Sequence, residues 1–260
     1  MALPAYAGPI EKTWYYSFRT LCGLIFFFLI APIVVIIPLS FNAVPFFTFT
    51  EAMLAFDPEG YSTKWYKEFF GSLNWQGAVK NSVIIAFFST ILATILGTTA
   101  ALGLSRPFMP YRTAIMALLI SPMVVPLIIS ATGMFFFYSE VGLAGTHLGI
   151  ILAHTALGTP FVVITVTATL VGFDQSLIRA GYMCGASLPR VFFKVIMPLI
   201  LPGVISGALF AFVTSFDEVV VVLFVGSVDQ RTIPWQMFSG IREQISPTIL
   251  AVATLLVCVS

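Results

Sequence analysis

The sequence predicts an all-α membrane protein, a single domain over residues 1–260 with six transmembrane helices. Three observations predict it. Only 12 Lys or Arg and 11 Asp or Glu are present among 260 residues, 9% charged, against roughly 25% in soluble domains. Hydrophobic residues reach 59%, and Phe alone contributes 26. The apolar residues also fall in runs long enough for a hydrocarbon core ~30 Å thick, which takes about 20 residues of helix. So few charges cannot cover a soluble surface. The composition equally excludes a disordered chain, a collagen-like fibre and a disulfide scaffold. The net charge of +1 gives no basis for nucleic-acid binding.

The first span is 21–39, a run without any charge, preceded by Lys12 and Arg19. It is too long for a signal-peptide core and no Ala-x-Ala site follows, so it reads as a retained helix. Pro32 and Pro38 in its second half kink or end it. Residues 40–77 mix Trp65, Tyr66, Phe69, Phe70 and Trp75 with Glu51, Asp57, Glu59 and Glu68. That mixture predicts a loop with short helices at the membrane interface, where Trp and Tyr concentrate. The second span, 78–104, is rich in small residues, and Gly97 to Ala101 is a small-xxx-small pattern that permits close helix packing. The third, 113–138, is expected to break at Ser121-Pro122 and Pro126, and the fourth, 150–171, at Gly158-Thr159-Pro160. Residues 172–197 carry Asp174, Arg179, Arg190 and Lys194 and read as an amphipathic, partly helical loop. The fifth span is 198–225 and the sixth 247–260. The last run gives about 21 Å of helix, short of the hydrocarbon core, so a truncated final helix is expected.

Orientation follows from the Lys/Arg bias. One side holds Lys12, Arg19, Arg106, Arg112, Arg179, Arg190 and Lys194 against Glu11 and Asp174. The other holds five basic and seven acidic residues. The basic side is expected to be cytoplasmic, which places the N-terminus and the 172–197 loop there.

That loop contains Leu177-Ile178-Arg179-Ala180-Gly181-Tyr182-Met183-Cys184-Gly185-Ala186-Ser187-Leu188-Pro189-Arg190 and ends in Val195-Ile196-Met197-Pro198. It resembles the EAA loop of permease subunits of binding-protein-dependent ABC importers, whose pattern is Glu-Ala-Ala, three residues, Gly, nine residues, Ile, one residue, Leu-Pro. Anchored on Gly185, Arg179 stands at the Glu position and Ala180 and Gly181 at the two Ala positions. The basic residue in place of the acid is the main departure.

The resemblance covers essentially the whole chain and implies a type I importer permease in the bacterial cytoplasmic (inner) membrane. It implies a short coupling helix that sits in a groove of a cytoplasmic ATPase, carried here by Arg179, Ala180, Gly181, Gly185, Ala186, Ser187, Arg190, Phe192 and Lys194. The implied partners are a second, different permease chain, two ATP-binding subunits and an extracytoplasmic solute-binding protein, besides membrane lipid. No Gly-x-x-x-x-Gly-Lys-Ser/Thr motif occurs in the chain. ATP and Mg would therefore belong to the partner ATPase, with no cofactor in this chain. Neither His-Glu-x-x-His nor Gly-x-Ser-x-Gly occurs, so a membrane-embedded protease or lipase has no residues to rest on.

Ser215-Phe216-Asp217-Glu218-Val219 places two adjacent acids in an otherwise apolar span. Each costs about 2.5–3.5 kcal/mol at a lipid-facing helix centre, so they must face protein, water or a solute path. Helical neighbours diverge by about 100°, which gives the two acids different tasks. One lines a path while the other holds a neighbouring helix or caps a break. The competing reading is a purely structural pair satisfied by hydroxyls or backbone amides. Ser-Phe-Asp-Glu, followed by Arg231-Thr232-Ile233-Pro234 and Ser246-Pro247, resembles the spermidine/putrescine-type permeases, in particular their second permease subunit. That resemblance implies a polyamine or related amine-bearing solute and a translocation path through Ser215, Asp217 and Glu218. The alternative is a stand-alone ion-coupled transporter using Asp217 or Glu218, which calls for an inverted repeat; the sequence shows none.

The remaining polar residues read as structural. His147 and His154 are seven apart, too far on a helix to share one metal ion. His154 is expected to be hydrogen-bonded within the bundle rather than to relay protons. Cys22, Cys184 and Cys258 form no pair, and Cys184 reads as a small packing residue.

Overall fold

A computed structural model describes residues 8–106, 108–243 and 246–259. Thirteen α-helices occur among them: α1 (Pro9–Leu39), α2 (Glu51–Leu54), α3 (Lys64–Gly71), α4 (Leu73–Leu104), α5 (Arg112–Val124), α6 (Leu127–Glu140), α7 (His147–Val171), α8 (Ser176–Met183), α9 (Leu188–Val191), α10 (Met197–Phe216), α11 (Val220–Val225), α12 (Ile233–Glu243) and α13 (Thr248–Val259). No β-strand is found among the described residues, only an isolated bridge between Asn42 and Tyr61. The chain forms two compact units, Met1–Leu73 with Ser239–Ser260, and Asn74–Phe238.

In the first unit, α1 begins well before the expected residue 21. Pro9 occupies its first turn, and the Gly8 amide donates to Glu11 Oε2 at 3.0 Å. These are helix-start signals, and they carry the charged residues before the apolar run into the same helix. Its 31 residues span about 46 Å. Pro32 does not end it, and the helix stops one residue past Pro38. The segment after α1 is tied by side chains. Trp65 Nε1 donates to the Asn42 carbonyl at 2.7 Å, Asn42 Nδ2 donates to the carbonyls of Phe46 and Thr48, and Ser40 Oγ lies 2.6 Å from the Tyr66 hydroxyl. α13 packs on α3, where Thr248 Oγ1 donates to Glu68 Oε2 at 3.0 Å.

In the second unit, α7 is the central helix, and its most extensive partner is α10. The two can approach because α10 offers Gly203 and Gly207 one turn apart. A Cβ on Gly207 would stand 2.7 Å from Val162 Cα, and one on Gly203 would stand 2.9 Å from the Thr165 carbonyl. α4 joins through the expected small-residue face: a Cβ on Gly97 would lie 2.6 Å from Val162 Cβ. One apolar cluster gathers Ala93, Ala101, Val162, Val166, Ile200, Val204 and Ala211; the other gathers Ile85, Ile150, Leu157, Val221, Val222 and Val225.

Three expectations about breaks within the spans need revision. Among the described residues, four helices are long and apolar enough to cross a membrane, and five if α5 and α6 make one span; α13 has 12 residues, about 18 Å. The third span does break at Pro126, bending 101° between α5 and α6, but Pro122 stays inside α5. The fourth span does not break at all, and α7 runs unbroken through Pro160. The physical reason is that α7 is packed on several sides, and Gly158 presses onto Ala211. Neighbouring helices then hold straight a segment whose proline has only removed one hydrogen bond. The fifth span is instead interrupted, with α10 ending at Phe216 and α11 starting at Val220.

Replacing Gly207 by Val should force α7 and α10 apart. We expect a loss of about 1–3 kcal/mol from overpacking, read as a lower melting temperature in mild detergent. Gly103→Ala is the control, because nothing lies within 4 Å of a Cβ there; an equal loss in both variants would refute the packing account.

Candidate functional site

The segment 172–197 folds as a helix–turn–helix. Asp174 opens it: its carboxylate accepts the Ser176 amide at 2.8 Å and the Ser176 hydroxyl at 2.7 Å. Those two bonds hold the exposed Asp174 carboxyl below the usual carboxylate range, and the charge of Arg179 adds a smaller pull. α8 then ends in a Schellman turn. The Gly185 amide donates to the Tyr182 carbonyl at 2.9 Å and the Ala186 amide to the Gly181 carbonyl at 3.1 Å. Gly185 sits at φ +76, a left-handed conformation that glycine adopts without penalty. The anchor glycine of the sequence pattern is thus the residue that reverses the chain. Gly181 faces α9, where a Cβ would lie 3.1 Å from Val191 Cγ2.

Beyond the turn, Ser187 precedes α9 in extended conformation, and a π-helical turn, Phe192–Ile196, leads into α10. Pro198 accounts for the π turn: it has no amide hydrogen, and in α geometry its ring would clash with the Lys194 carbonyl. Arg179, Ala180, Arg190 and Lys194 are exposed, Ala186 and Phe192 are half-buried, and Val191 is buried. The structure therefore gathers the proposed docking residues on one short hairpin whose cations face outward. A cavity of about 360 Å³ lies against it, lined by Arg106, Tyr182, Leu188, Phe192 and Ile196. The sequence did not single out Arg106 or Tyr182 there, because the cavity joins loops far apart in the chain. Cys184 corrects the expectation of a packing residue: it is exposed, standing at the outside of the α8 turn.

The second cluster is the break between α10 and α11. Asp217 is the C-cap of α10 and is exposed, whereas Glu218 is buried and its Oε1 accepts the Val221 amide at 2.9 Å. The two acids thus separate, through the break between α10 and α11 rather than by the angle between neighbours on one helix. Glu218 satisfies a free amide at the start of α11, and its charge suits that end of the helix dipole. Asp217 is the acid that remains available. Ser215, one turn back, is buried and bonds sideways to two other helices: its Oγ lies 2.8 Å from His154 Nδ1 on α7 and 2.9 Å from Ser89 Oγ on α4. Ser89 also donates to the Ile85 carbonyl at 2.7 Å. His154 is hydrogen-bonded inside the bundle, and its Nε2 is buried without a partner among the described residues.

Sequence reasoning missed Ser89 as one hydroxyl among many on α4, and it gave His154 a bland role without naming Ser215 as its partner. His147 is engaged elsewhere, 3.0 Å from Asn81 Oδ1. No group of three or more His, Cys, Asp or Glu that could hold a metal ion occurs among the described residues.

Residues 93–260 match the family described as "Binding-protein-dependent transport system inner membrane component". The chain is 32% identical to the spermidine/putrescine transport system permease protein PotC of Haemophilus influenzae, over 91% of this chain and 89% of that protein. It is 30% identical to PotC of Escherichia coli K12, over 91% and 86%, and 34% identical to the putrescine transport system permease protein PotI of the same organism, over 89% and 82%. Its fold is similar to a bacterial ABC transporter involved in the import of the acidic polysaccharide alginate, with TM-score 0.72 at 14% identity, over 98% of this chain and 94% of that one. A bacterial alginate ABC transporter in complex with alginate pentasaccharide-bound periplasmic protein gives TM-score 0.67 at 14% identity, over 95% and 92%. These likenesses leave the stand-alone ion-coupled carrier without support. The chain belongs to the family of inner membrane permease components of binding-protein-dependent transport systems.

Proposed function

We propose that this chain is the transmembrane permease subunit of an ATP-driven importer for spermidine, putrescine or a related amine-bearing solute. The observation that carries the reading is its similarity, along about nine-tenths of its length, to permeases of spermidine/putrescine systems. An exposed carboxylate at a helix break adds chemical sense, since Asp217 would offset part of the desolvation of an ammonium group.

In this reading the chain pairs with a second, different permease. Two ATP-binding subunits dock on the hairpin carrying Arg179, Ala180, Gly181, Gly185, Ala186, Ser187, Arg190, Phe192 and Lys194. A solute-binding protein delivers its cargo on the opposite face. ATP and Mg are held by the partner subunits, and this chain breaks no bond. Closure of the ATPases pushes on the hairpin, and the continuous helical segment Leu188–Phe216 carries that push to Ser215, Asp217 and Glu218. The N-terminus and the hairpin lie on the cytoplasmic side of the inner membrane, as the basic side of the chain requires.

Purification of tagged chain from its native membrane in mild detergent should recover an ATPase and a second permease. Proteoliposomes holding that complex, given its binding protein, should take up putrescine only with ATP. Isolation of the chain alone, active without ATP, would overturn the reading.

Two sets of substitutions test the sites. Gly185→Asp places a negative charge at the turn of the hairpin, where nothing lies within 4 Å of a Cβ, and should leave the chain in the membrane while ATP hydrolysis no longer drives uptake; normal uptake would remove the docking role. Asp217→Asn should depress uptake with little change in melting temperature. Glu218→Ala should instead lower stability by about 0.5–2 kcal/mol, the worth of a lost cap. Equal behaviour of the two in both assays would refute the division of tasks.

A further inference from the structure

The break at 217–219 is tied to its two helices at its ends, where the Asp217 amide donates to the Val213 carbonyl and the Leu223 amide to the Val219 carbonyl, both at 3.0 Å, so whatever fixes the end of α10 also places Asp217. The last side chain before it with bonds to other helices is Ser215, and the polarity of those bonds can be assigned. Ser89 has one hydroxyl hydrogen, and the 2.7 Å contact with the Ile85 carbonyl needs it, because two oxygens that close with no hydrogen between them repel. Ser89 therefore accepts from Ser215, at 2.9 Å. That uses the only hydrogen of Ser215, so the 2.8 Å contact with His154 requires Nδ1–H to be the donor. The chain runs from His154 Nδ1–H to Ser215, to Ser89, to the Ile85 carbonyl.

This assignment fixes the neutral tautomer of His154 and leaves Nε2 as a bare acceptor, buried with no donor among the described residues. An apolar side chain would fill the same space without stranding a nitrogen. What the imidazole adds is one donor, aimed at Ser215, two residues before Asp217. The ring itself is 1% exposed, on the most buried of the long helices. Its backbone anchor therefore moves little, and it is a firm post for a tether.

We propose that His154 is a positioning residue for Asp217 and Glu218: through Ser215 and Ser89 it fixes the end of α10 against α7 and α4. This sets where the two acids stand. The inference rests on the reading that these acids border the solute path, but the placement itself can be tested without transport.

The test uses Asp217→Cys as a reporter in the full chain, within its purified complex, in a background carrying Cys22→Ser, Cys184→Ser and Cys258→Ser. The rate of labelling by a membrane-impermeant maleimide reads the position of the break. His154→Leu should change that rate by about fivefold or more, the worth of one buried hydrogen bond. His154→Asn, whose amide nitrogen stands near the place of Nδ1, should label within about twofold of the parent for the same reason. His154→Gln, with its nitrogen displaced, should resemble the Leu variant. Ser215→Ala removes the acceptor at little change in volume, and should reproduce the His154→Leu effect without adding to it. It keeps the test decisive if the Leu variant does not fold.

In chains with Asp217 intact, ATP-driven putrescine uptake per assembled complex should follow the same order. Parental labelling in His154→Leu or Ser215→Ala, or equal loss in His154→Asn and His154→Leu, would overturn the proposal. Failure of the parent complex to transport putrescine would count against the importer reading and leave the labelling result standing.

Discussion

A backbone amide or carbonyl inside a bilayer finds no water, so each point where this chain leaves the α-helix must draw partners from the protein itself. The architecture of the second unit can be read as a set of answers to that demand. At the α10–α11 break, Glu218 supplies the acceptor that the Val221 amide lacks. At Pro160 no break is made, and α7 runs straight through, held by the helices packed around it. Before Pro198 the helix widens to a π turn, in which the Met197 amide reaches the Phe192 carbonyl. Each device sits on or beside the α7–α10 pair, so the closeness of that pair underlies them.

That closeness comes from absent side chains. In lipid, helices gain little from burying apolar surface, and contact must come from dispersion and shape. Gly203 and Gly207 let backbone meet backbone, and Gly97 admits α4 to the same groove. Three helices held so tightly make a firm base for the Ser89–Ser215–His154 chain, which crosses all three. A base of this kind also suits a moving part. The hairpin at one end and the break at the other are joined by the helical segment Leu188–Phe216, the rod along which the proposed coupling would pass.

Much of this was legible in the sequence, and the exceptions have physical causes. Long apolar runs identify spans because twenty residues of helix match the hydrocarbon thickness whatever the tertiary fold. Gly185 was legible because a left-handed turn nearly requires glycine. Proline was a poorer guide. It removes one hydrogen bond, but whether the helix then bends depends on its neighbours: Pro126 goes with a bend of 101° and Pro160 with none. The α10–α11 break was hidden because Val219–Val225 reads as more apolar helix. The pairing of Ser89 with Ser215 was hidden because the two are 126 residues apart and nothing local marks either.

Asp217 and Glu218 are adjacent in the chain but stand in different helical environments. On a regular helix both would be intruders of equal standing. At the break they fall on opposite helix ends, and the dipoles treat them differently. Glu218 stands at the start of α11, where a negative charge is favoured; Asp217 stands at the end of α10, where it is disfavoured by about 0.3–1 kcal/mol. Glu218 is therefore explained by the fold alone. Asp217 caps no helix start and opposes the local dipole, so stability gives no reason for an acid there. A positive charge arriving at that point would relieve the dipole conflict as well as the carboxylate. In the proposed importer Asp217 is thus the acid that would answer the charge of a cationic solute, with Glu218 and the His154 tether holding the break around it.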